Sequence, residues 1–544
     1  MNTPSPVPPH YDYIIIGAGS SGSVLANRLS ANPAQRVLLL EAGGRNDDYL
    51  IRMPKGIARV VNMPRYIWSY PIGEDRGEEP AEVWIRGRGL GGSSSINGMI
   101  WSRGQPADYD HWQALGCEGW NWNSMNAALK AIEDHELGAA DYRGSGGPVH
   151  ITAGGHYRYP LCDSMLEAGR QLGLTQTADL NDLHGPRIGY YSHNVRKGRR
   201  AGGAAAFIAP ARARRNLEVV TEALVERITF EGQRASGVIA SVAGNTREFV
   251  CGGEVIVCAG ALESPLLLQR SGIGPAAVLQ AAGVAVVCDS PHVGRNLQEH
   301  LGFSVMFRTN TRGGNHHHYR WPGLLRSVAQ YQLLGQGPMT TGPFEIGAFA
   351  RVGSGEGPPN LQLFLGGYNF ALSDDKHPVP LSTIDPEPGM TIYGQLLRLH
   401  SRGSIEIRSA QAATAPAIAP HWLEHEEDRR QAVDTVKLIR QLAAQPALAQ
   451  YIEREMVPGA DCPSDEQILD AFHRMAMCGL HATGTCRMGG DDGAVCDPQL
   501  RVRGVEGLRV ADCSVMPGLI SGNTNAPAMA LGYRAADILL AGRS

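Results

Sequence analysis

No two cysteines of this chain stand as a C-x-x-C pair, which argues against a zinc ribbon or a thioredoxin-type motif. The 10 cysteines are scattered at 117, 162, 251, 258, 288, 462, 478, 486, 496 and 513. In a chain of 544 residues they read as reduced thiols, as expected of a cytoplasmic protein. Long apolar runs are missing too. Nothing approaches the roughly 18 uninterrupted apolar residues of a bilayer-spanning helix. No transmembrane segment is expected, and peripheral attachment at the inner face of a membrane stays open. The opening stretch "MNTPSPVPPHYDY" lacks a basic n-region and an apolar h-region, so it does not read as a secretory signal. Positive charge is not in excess: a net charge of -4 gives no sign of a nucleic-acid partner. Internal repeats and long low-complexity tracts are absent, and the sequence is silent on oligomeric state. Metal-ligand patterns are thin. In "NHHHYRW" the adjacent rings of His316 to His318 point in divergent directions with no acidic or cysteine ligand nearby, so the stretch reads as a loop. Cys478 and His481 make C-x-x-H without a second ligand pair, and no metal is expected.

What is present describes a globular, loop-rich protein: 43% hydrophobic residues, 19% charged residues and 67 glycines. The length suits two or three domains. In "YDYIIIGAGSSGSVLANRL", residues 11 to 29, the β-branched run Ile14 to Ile16 predicts a strand buried on both faces. Gly17, Gly19 and Gly22 then supply G-x-G-x-x-G. The first glycine permits the tight turn, the second a close approach of backbone to a pyrophosphate, and the third a helix packed near the strand. The pyrophosphate would sit on the helix N-terminus. That helix is expected from Ser21 to about Leu29, with Val24, Leu25 and Leu29 inward. A second strand, "RVLLLEAGG", ends in Glu41, about 20 residues past the glycines, where a carboxylate reaches ribose hydroxyls. An acid there repels the 2′-phosphate of NADP, which leaves NAD and FAD.

The stretch "RGRGLGGSSSINGMIWSRG", residues 86 to 104, brings glycines, small hydroxyl residues and one asparagine before bulky apolar groups. Glycine and serine let a backbone pass close to a large flat ligand. A second cradle at this distance suits a cofactor longer than NAD, one with an isoalloxazine ring. Here the chain resembles a known family. Residues 87 to 110, "GRGLGGSSSINGMIWSRGQPADYD", and 260 to 274, "GALESPLLLQRSGIG", are similar to the two signatures of the glucose–methanol–choline (GMC) flavin oxidoreductases. So are "VGRNLQEH" (293 to 300), "HATGTCRMGG" (481 to 490) and "LRVADCSVMPGLISGNTNAPAMALGYRAADILL" (508 to 540). The flavour is that of the choline dehydrogenase-like, aliphatic-alcohol branch.

The resemblance implies FAD as cofactor. It is noncovalent, because Ile96 stands where some relatives carry the histidine that links to flavin. It implies Ser20 and Ser21 at the pyrophosphate and Glu41 and Ala42 at the adenosine end. Trp68, Arg88, Gly92 and Asn97, Gly98, Met99 and Ile100 lie along the flavin, and Val225 meets adenine through its backbone. Asp512 and the loop Asn523, Thr524, Asn525 return from the C-terminus. The last placement has its own rationale: "LRVADCSV" reads as a strand and "NAPAMALGYRAADILL" as a helix whose N-terminus faces flavin oxygens. "RRAGGAAAFIAP" (199 to 210) departs from the pattern, with Gly202 and Gly203 in place of serines.

The expected fold is mixed α/β: a Rossmann-like FAD-binding domain (1–155, 215–310 and 475–544) with a discontinuous substrate domain (156–214 and 311–474) built on an antiparallel sheet under helices. Local patterns agree. "PNLQLFLGGY", "MTIYGQLLRL" and "GSIEIRS" read as strands, and 353 to 359 as a loop. "HEEDRRQAVDTVKLIRQLAAQ" reads as a helix burying Ala432, Val433, Val436, Ile439 and Leu442.

Oxidising an alcohol to a carbonyl removes a proton from oxygen and a hydride from carbon. His481 matches the family's H-x-x-G-T position and is the expected base, since an imidazole titrates near physiological pH. Asn523, at a position where the family carries His or Asn, is expected to orient the substrate oxygen and also suits a helix N-cap. Glu345, with Phe344, Tyr368 and Phe370, is a candidate substrate site, where an acid beside aromatic rings balances a trimethylammonium group. A structural salt bridge is the other reading of Glu345. The expected reaction is FAD-dependent oxidation of an aliphatic or aromatic primary alcohol to an aldehyde, with a quinone or dye preferred over oxygen as acceptor. Choline dehydrogenase, an oxygen-using alcohol oxidase and a redox-inactive hydroxynitrile lyase are the alternatives.

Overall fold

The computed structural model describes residues 10–73, 82–182, 185–310, 313–353, 356–373, 376 and 383–542. Residues 354 and 355 of the expected 353–359 loop, and the N-terminal stretch through residue 9, lie outside these.

The strand β1 (Tyr11–Ile16) buries Ile14 to Ile16, and α1 (Ser20–Leu29) leaves its end with Val24, Leu25 and Leu29 fully buried. β1 is bonded on both edges by parallel partners, β2 (Val37–Leu40) and β3 (Asn245–Val257). That double burial is why its apolar run does not alternate. Leu217–Val220 extends the sheet beyond β2 and Leu508–Val510 beyond β3, both in parallel. The amide of Gly17 donates to the carbonyl of Leu40, Cys258 to Ile16, and Ala511 to Val257. Four strands therefore finish along one edge, where an open α/β sheet binds ligands. The first half of β3 continues antiparallel into Arg234–Val242 and Ala223–Glu231.

A second sheet orders Ile452–Val457, Leu301–Thr309, Gly389–Leu396, Leu361–Gly366, Ile346–Ala350 and Arg187–Tyr190, each antiparallel to its neighbour. Its central pair is β4 (Leu361–Gly366) and β5 (Gly389–Leu396). Side chains alternate across a strand. Leu361, Leu363, Leu365, Met390, Ile392 and Leu396 share one core with α2 (Glu426–Ala443), which buries the five apolar residues its spacing predicts. The intervening Gln362, Phe364, Tyr393 and Gln395 belong to the other face.

The fold is thus mixed α/β with a Rossmann-like sheet beside an antiparallel one. Some placements differ from the sequence reading. Leu301–Thr309 and Met477–Cys478, grouped by sequence with the cofactor-binding segments 215–310 and 475–544, pair with each other in the second sheet. The strand in "GSIEIRS" shortens to Ser404–Glu406 and pairs with Ala417–Ala419 in a separate ribbon. The amide of Ile405 donates to the carbonyl of Gly294 at 2.8 Å, which draws the ribbon away from the second sheet. His316–Tyr319 is a single 3₁₀ turn rather than a loop. Among the described residues no helix is long and apolar enough to cross a membrane.

Candidate active site

One cavity of about 760 Å³ is lined by both glycine-rich loops, the C-terminal loop and the inner face of the second sheet. The three glycines of the first loop divide their labour as the motif predicts. Gly17 has φ 99°, and a Cβ there would lie 2.4 Å from the carbonyl oxygen of Cys258. A Cβ on Gly22 would lie 2.0 Å from the carbonyl oxygen of Gly17, so this glycine lets α1 pack. A Cβ on Gly19 would meet nothing within 4 Å, which leaves the middle position open to a ligand. Glu41 Oε2 accepts from the amide of Ala18, and Oε1 accepts from the amides of Gly43 and Gly89, all at 2.9 Å. The carboxylate therefore ties the first loop to the second; burial pushes its pKa up against these three bonds.

All the sequence-predicted cofactor residues line this cavity except Gly22 and Arg88. Arg88 lies 4.7 Å from the ring centre of Trp68, which does line it. The second loop rests on the first: a Cβ on Gly92 would be 2.8 Å from Gly19 Cα. Met99 is held at φ 62°, and its amide donates to Asn97 Oδ1 at 3.2 Å. A non-glycine residue in the left-handed region is strained and persists only where its surroundings fix it. Buried Arg200 does this, donating to Asn97 Oδ1 and the carbonyl of Asn97 (both 2.7 Å) and to the carbonyl of Ser94 (3.1 Å). Burial lowers this guanidinium to about 9. The glycines that replace serines have a role in packing here. The amide of Gly203 donates to Ser94 Oγ at 2.9 Å, and a Cβ on Gly202 would lie 2.9 Å from the carbonyl oxygen of Ser94.

The residues present fit FAD. Asn525 opens α3 (Asn525–Ala541), whose N-terminal turn lines the cavity. Its Oδ1 accepts from Ser20 Oγ at 2.8 Å, while its buried Nδ2 has no partner. A buried donor beside the free N–H groups of a helix start is set for an acceptor-rich ligand. Ile96, 5% exposed, lines the same space with hydrocarbon and offers no atom for a covalent link.

The expected base, His481, and its expected partner, Asn523, come together at one end. Asn523 Nδ2 and His481 Nε2 are 3.2 Å apart. His481 Nδ1 faces His300 Nδ1 at 3.0 Å, and His300 Nε2 faces the carbonyl of Ile520 at 3.1 Å. A carbonyl only accepts, so His300 carries its proton on Nε2 and presents a bare Nδ1. His481 must then donate from Nδ1, which leaves its Nε2 lone pair beside Asn523. Asn523 is fixed in the matching sense, because its Oδ1 accepts from Gln362 Nε2 at 3.1 Å. Gln395 Nε2 shares the His300 Nδ1 acceptor with His481, at 3.0 Å, and lies 3.3 Å from His481 Nδ1. Glu299 Oε1 accepts from the amides of His481 (2.6 Å) and His300 (2.9 Å), and its Oε2 pairs with Arg86 at 3.2 Å. Burial lifts Glu299 to about 7. Burial, then His300 and Arg86, hold His481 well below the ordinary imidazole value, so it stays neutral at physiological pH. The N-cap of α3 is Thr524, not Asn523, whose side chain is committed to the network.

The candidate substrate residues divide. Phe344, Tyr368 and Phe370 line the cavity. Glu345 does not; it is buried against Lys55, with Oε1 3.0 Å from Nζ. Sequence reasoning missed His300, Gln362, Gln395, Arg200 and Lys55. A signal existed for His300, which ends the segment "VGRNLQEH", and for Arg200, which stands in "RRAGGAAAFIAP".

A nucleotide cradle opening into the space beside a neutral histidine–asparagine pair defines a flavin-type oxidoreductase. The chain belongs to the GMC oxidoreductase family: residues 11–302 match its N-terminal part and 400–532 its C-terminal part. An oxygen-dependent choline dehydrogenase from Burkholderia ambifaria is 38% identical over 537 residues, covering 97% of this chain and 93% of the relative. One from Burkholderia lata is 39% identical over the same shares. Among solved structures, pyridoxine 4-oxidase from Mesorbium loti is similar at TM-score 0.86 and 31% identity, covering 97% of this chain and 99% of the other. Formate oxidase is similar at TM-score 0.88 and 26% identity, covering 99% of both. The protein is an FAD-dependent oxidoreductase acting on CH–OH donors.

Proposed function

We propose that the protein oxidises a primary alcohol to an aldehyde, with His481 as base and Asn523 orienting the substrate oxygen. The carrying observation is the bond between one acceptor, His481 Nε2, and one amide donor, Asn523 Nδ2, 3.2 Å apart, which an alcohol oxygen can replace. An alcohol hydroxyl donates to the first and accepts from the second. As its proton passes to Nε2, the imidazolium strengthens the Nδ1–H bond to His300, since a charged donor makes the stronger bond. Bound FAD supplies the two-electron acceptor for the hydride that leaves carbon. Oxygen is our reading of the final acceptor, in place of the quinone or dye preferred from sequence. The similarity to an oxygen-dependent dehydrogenase and to two oxidases supports it.

Anaerobic mixing with a panel of primary alcohols should bleach the flavin, and admitted air should restore it with one peroxide per flavin. Cyanohydrin cleavage by a flavin that no alcohol bleaches would instead establish a lyase. Reoxidation by a quinone but not by air would return the acceptor to the quinone class.

A further inference from the structure

The inner face of the second sheet bears aromatic rings beside the reacting groups. On β4, Phe364 follows Gln362, the partner of Asn523, by two positions; on β5, Tyr393 precedes Gln395 by two. Phe364 lies 5.5 Å from Tyr393 and 5.6 Å from Phe344 between ring centres, and all three line the cavity. Next to Phe344, Glu345 sits in a nest of tyrosines. Tyr159 donates to Oε2 at 3.3 Å. After burial, the charge of Glu345 is the next cause holding the hydroxyls of Tyr157, Tyr159, Tyr319 and Tyr368 protonated. A carboxylate among aromatic faces is the chemistry that receives a quaternary ammonium. Here the chain has filled it. Lys55 Nζ stands 3.0 Å from Glu345 Oε1, 5.3 Å from the centre of the Tyr319 ring, and donates to the carbonyl of Gly342 at 2.5 Å.

The carboxylates that line the cavity, Glu41, Glu263 and Asp512, are committed as well. Glu41 and Asp512 accept from backbone amides, and Glu263 pairs with Arg270 at 3.2 Å and accepts from Tyr70. Glu299, which does not line the cavity, answers Arg86, which does. Arg59 adds a further cation to the lining. Among the described residues, the wall thus offers aromatic area without a free negative charge, and the ammonium of Lys55 is already bonded to its own acceptors.

Building on the proposed alcohol oxidation, we infer that Lys55 is a built-in cation occupying an ammonium-type subsite, which makes the substrate an uncharged aryl-substituted primary alcohol and excludes choline. The departure from the choline dehydrogenases it resembles rests on a side chain that no glycine-rich motif covers.

The test compares flavin reduction by benzyl alcohol, cyclohexylmethanol and choline in the holoenzyme. Benzyl alcohol should lead, with kcat/KM about 100-fold above choline, the scale of a like-charge penalty. Choline matching benzyl alcohol would overturn the inference while leaving alcohol oxidation standing, and so would a lead by cyclohexylmethanol. Bleaching by none of the three or by any other alcohol would bring down both readings. Lys55→Met vacates the subsite and should raise the choline-to-benzyl-alcohol ratio at least about tenfold. The ratio should stay at the wild-type level in Lys55→Met/Glu345→Gln, where no acid remains to attract a cation. An unchanged ratio in folded Lys55→Met removes Lys55 from specificity. If that variant does not fold, the wild-type comparison decides alone.

Discussion

In the proposed reaction His481 works as one member of a chain of bonds, and the chain assigns each atom its role. Ile520 fixes the tautomer of His300, His300 that of His481, and Gln362 the sense of Asn523. The two reacting side chains are therefore separable. His481→Ala removes the proton acceptor and should slow flavin reduction about 10²–10⁴-fold, the range for a general base, while FAD stays bound. Asn523→Ala removes one buried hydrogen bond and should cost on the order of 1–3 kcal/mol of transition-state binding. Higher pH should partly restore His481→Ala by ionising more alcohol in advance, and should not help Asn523→Ala. In the wild type, a depressed His481 is free for base duty above its folded pKa, and activity falls only as pH drops through that value. The acid limb of kcat/KM should thus lie below pH ~6.5, the ordinary imidazole value. Stopped-flow reduction across pH checks all of this. A His481→Ala enzyme as fast as wild type would assign the base elsewhere.

Among the elements, α1 and α3 carry the cofactor end, and they touch through a glycine. A Cβ on Gly532 would fall 2.6 Å from the carbonyl oxygen of Ser21 and 2.7 Å from Ser21 Oγ. Ser21 belongs to the turn that opens α1, and Gly532 to the helix that begins at Asn525. Gly532→Ala should push α3 away, lowering stability by about 1–3 kcal/mol, as overpacking does. Because Asn523 and Asn525 precede or open that helix, FAD retention on gel filtration should fall with Tm. Unchanged Tm and flavin content would show that the contact yields at no cost. The same scale separates what was legible in the sequence from what was not. β1, its glycine turn and α1 were legible because each depends on neighbours within a few residues. The face of α2 was legible because period 3.6 survives in its apolar spacing. The meeting of His300 with His481 was not, because their separation of 181 residues is closed by strand pairing that leaves no local pattern. Gln362 and Asn523, 161 apart, and Lys55 and Glu345, 290 apart, likewise meet only through tertiary packing that leaves no local pattern. Motif matching led to His481 and Asn523 and to the segment that ends in His300, but not to the bonds by which His300 and Gln362 set their protons.

At the scale of the whole molecule, the cofactor cavity is a gap that the two sheets share. Its wall takes Gly17 and Glu41 from the parallel sheet's edge, Phe364 and Tyr393 from the second sheet, and Asn523 to Asn525 from the C-terminal loop. Several of these groups stand ready for a ligand: the unpartnered Nδ2 of Asn525, the strained Met99 and the open approach at Gly19. A molecule that binds the folded chain here and not the unfolded one adds stability of RT ln(1 + [L]/Kd), about 2.7 kcal/mol at 100 times Kd. Stripped of FAD, the protein should melt lower, and Tm should climb with each increment of added FAD. ADP supplies only the adenosine and pyrophosphate contacts near Glu41 and α1, so it should restore part of the shift. Hydrogen exchange should show FAD protecting Asn97 to Ile100 and Asn523 to Asn525, with ADP protecting neither to the same degree. A Tm indifferent to FAD would mean that the sheets are held together without the cofactor, and that the second cradle folds as an independent loop. Restoration by ADP alone equal to that by FAD would confine the coupling to the first cradle and remove the flavin end from the account.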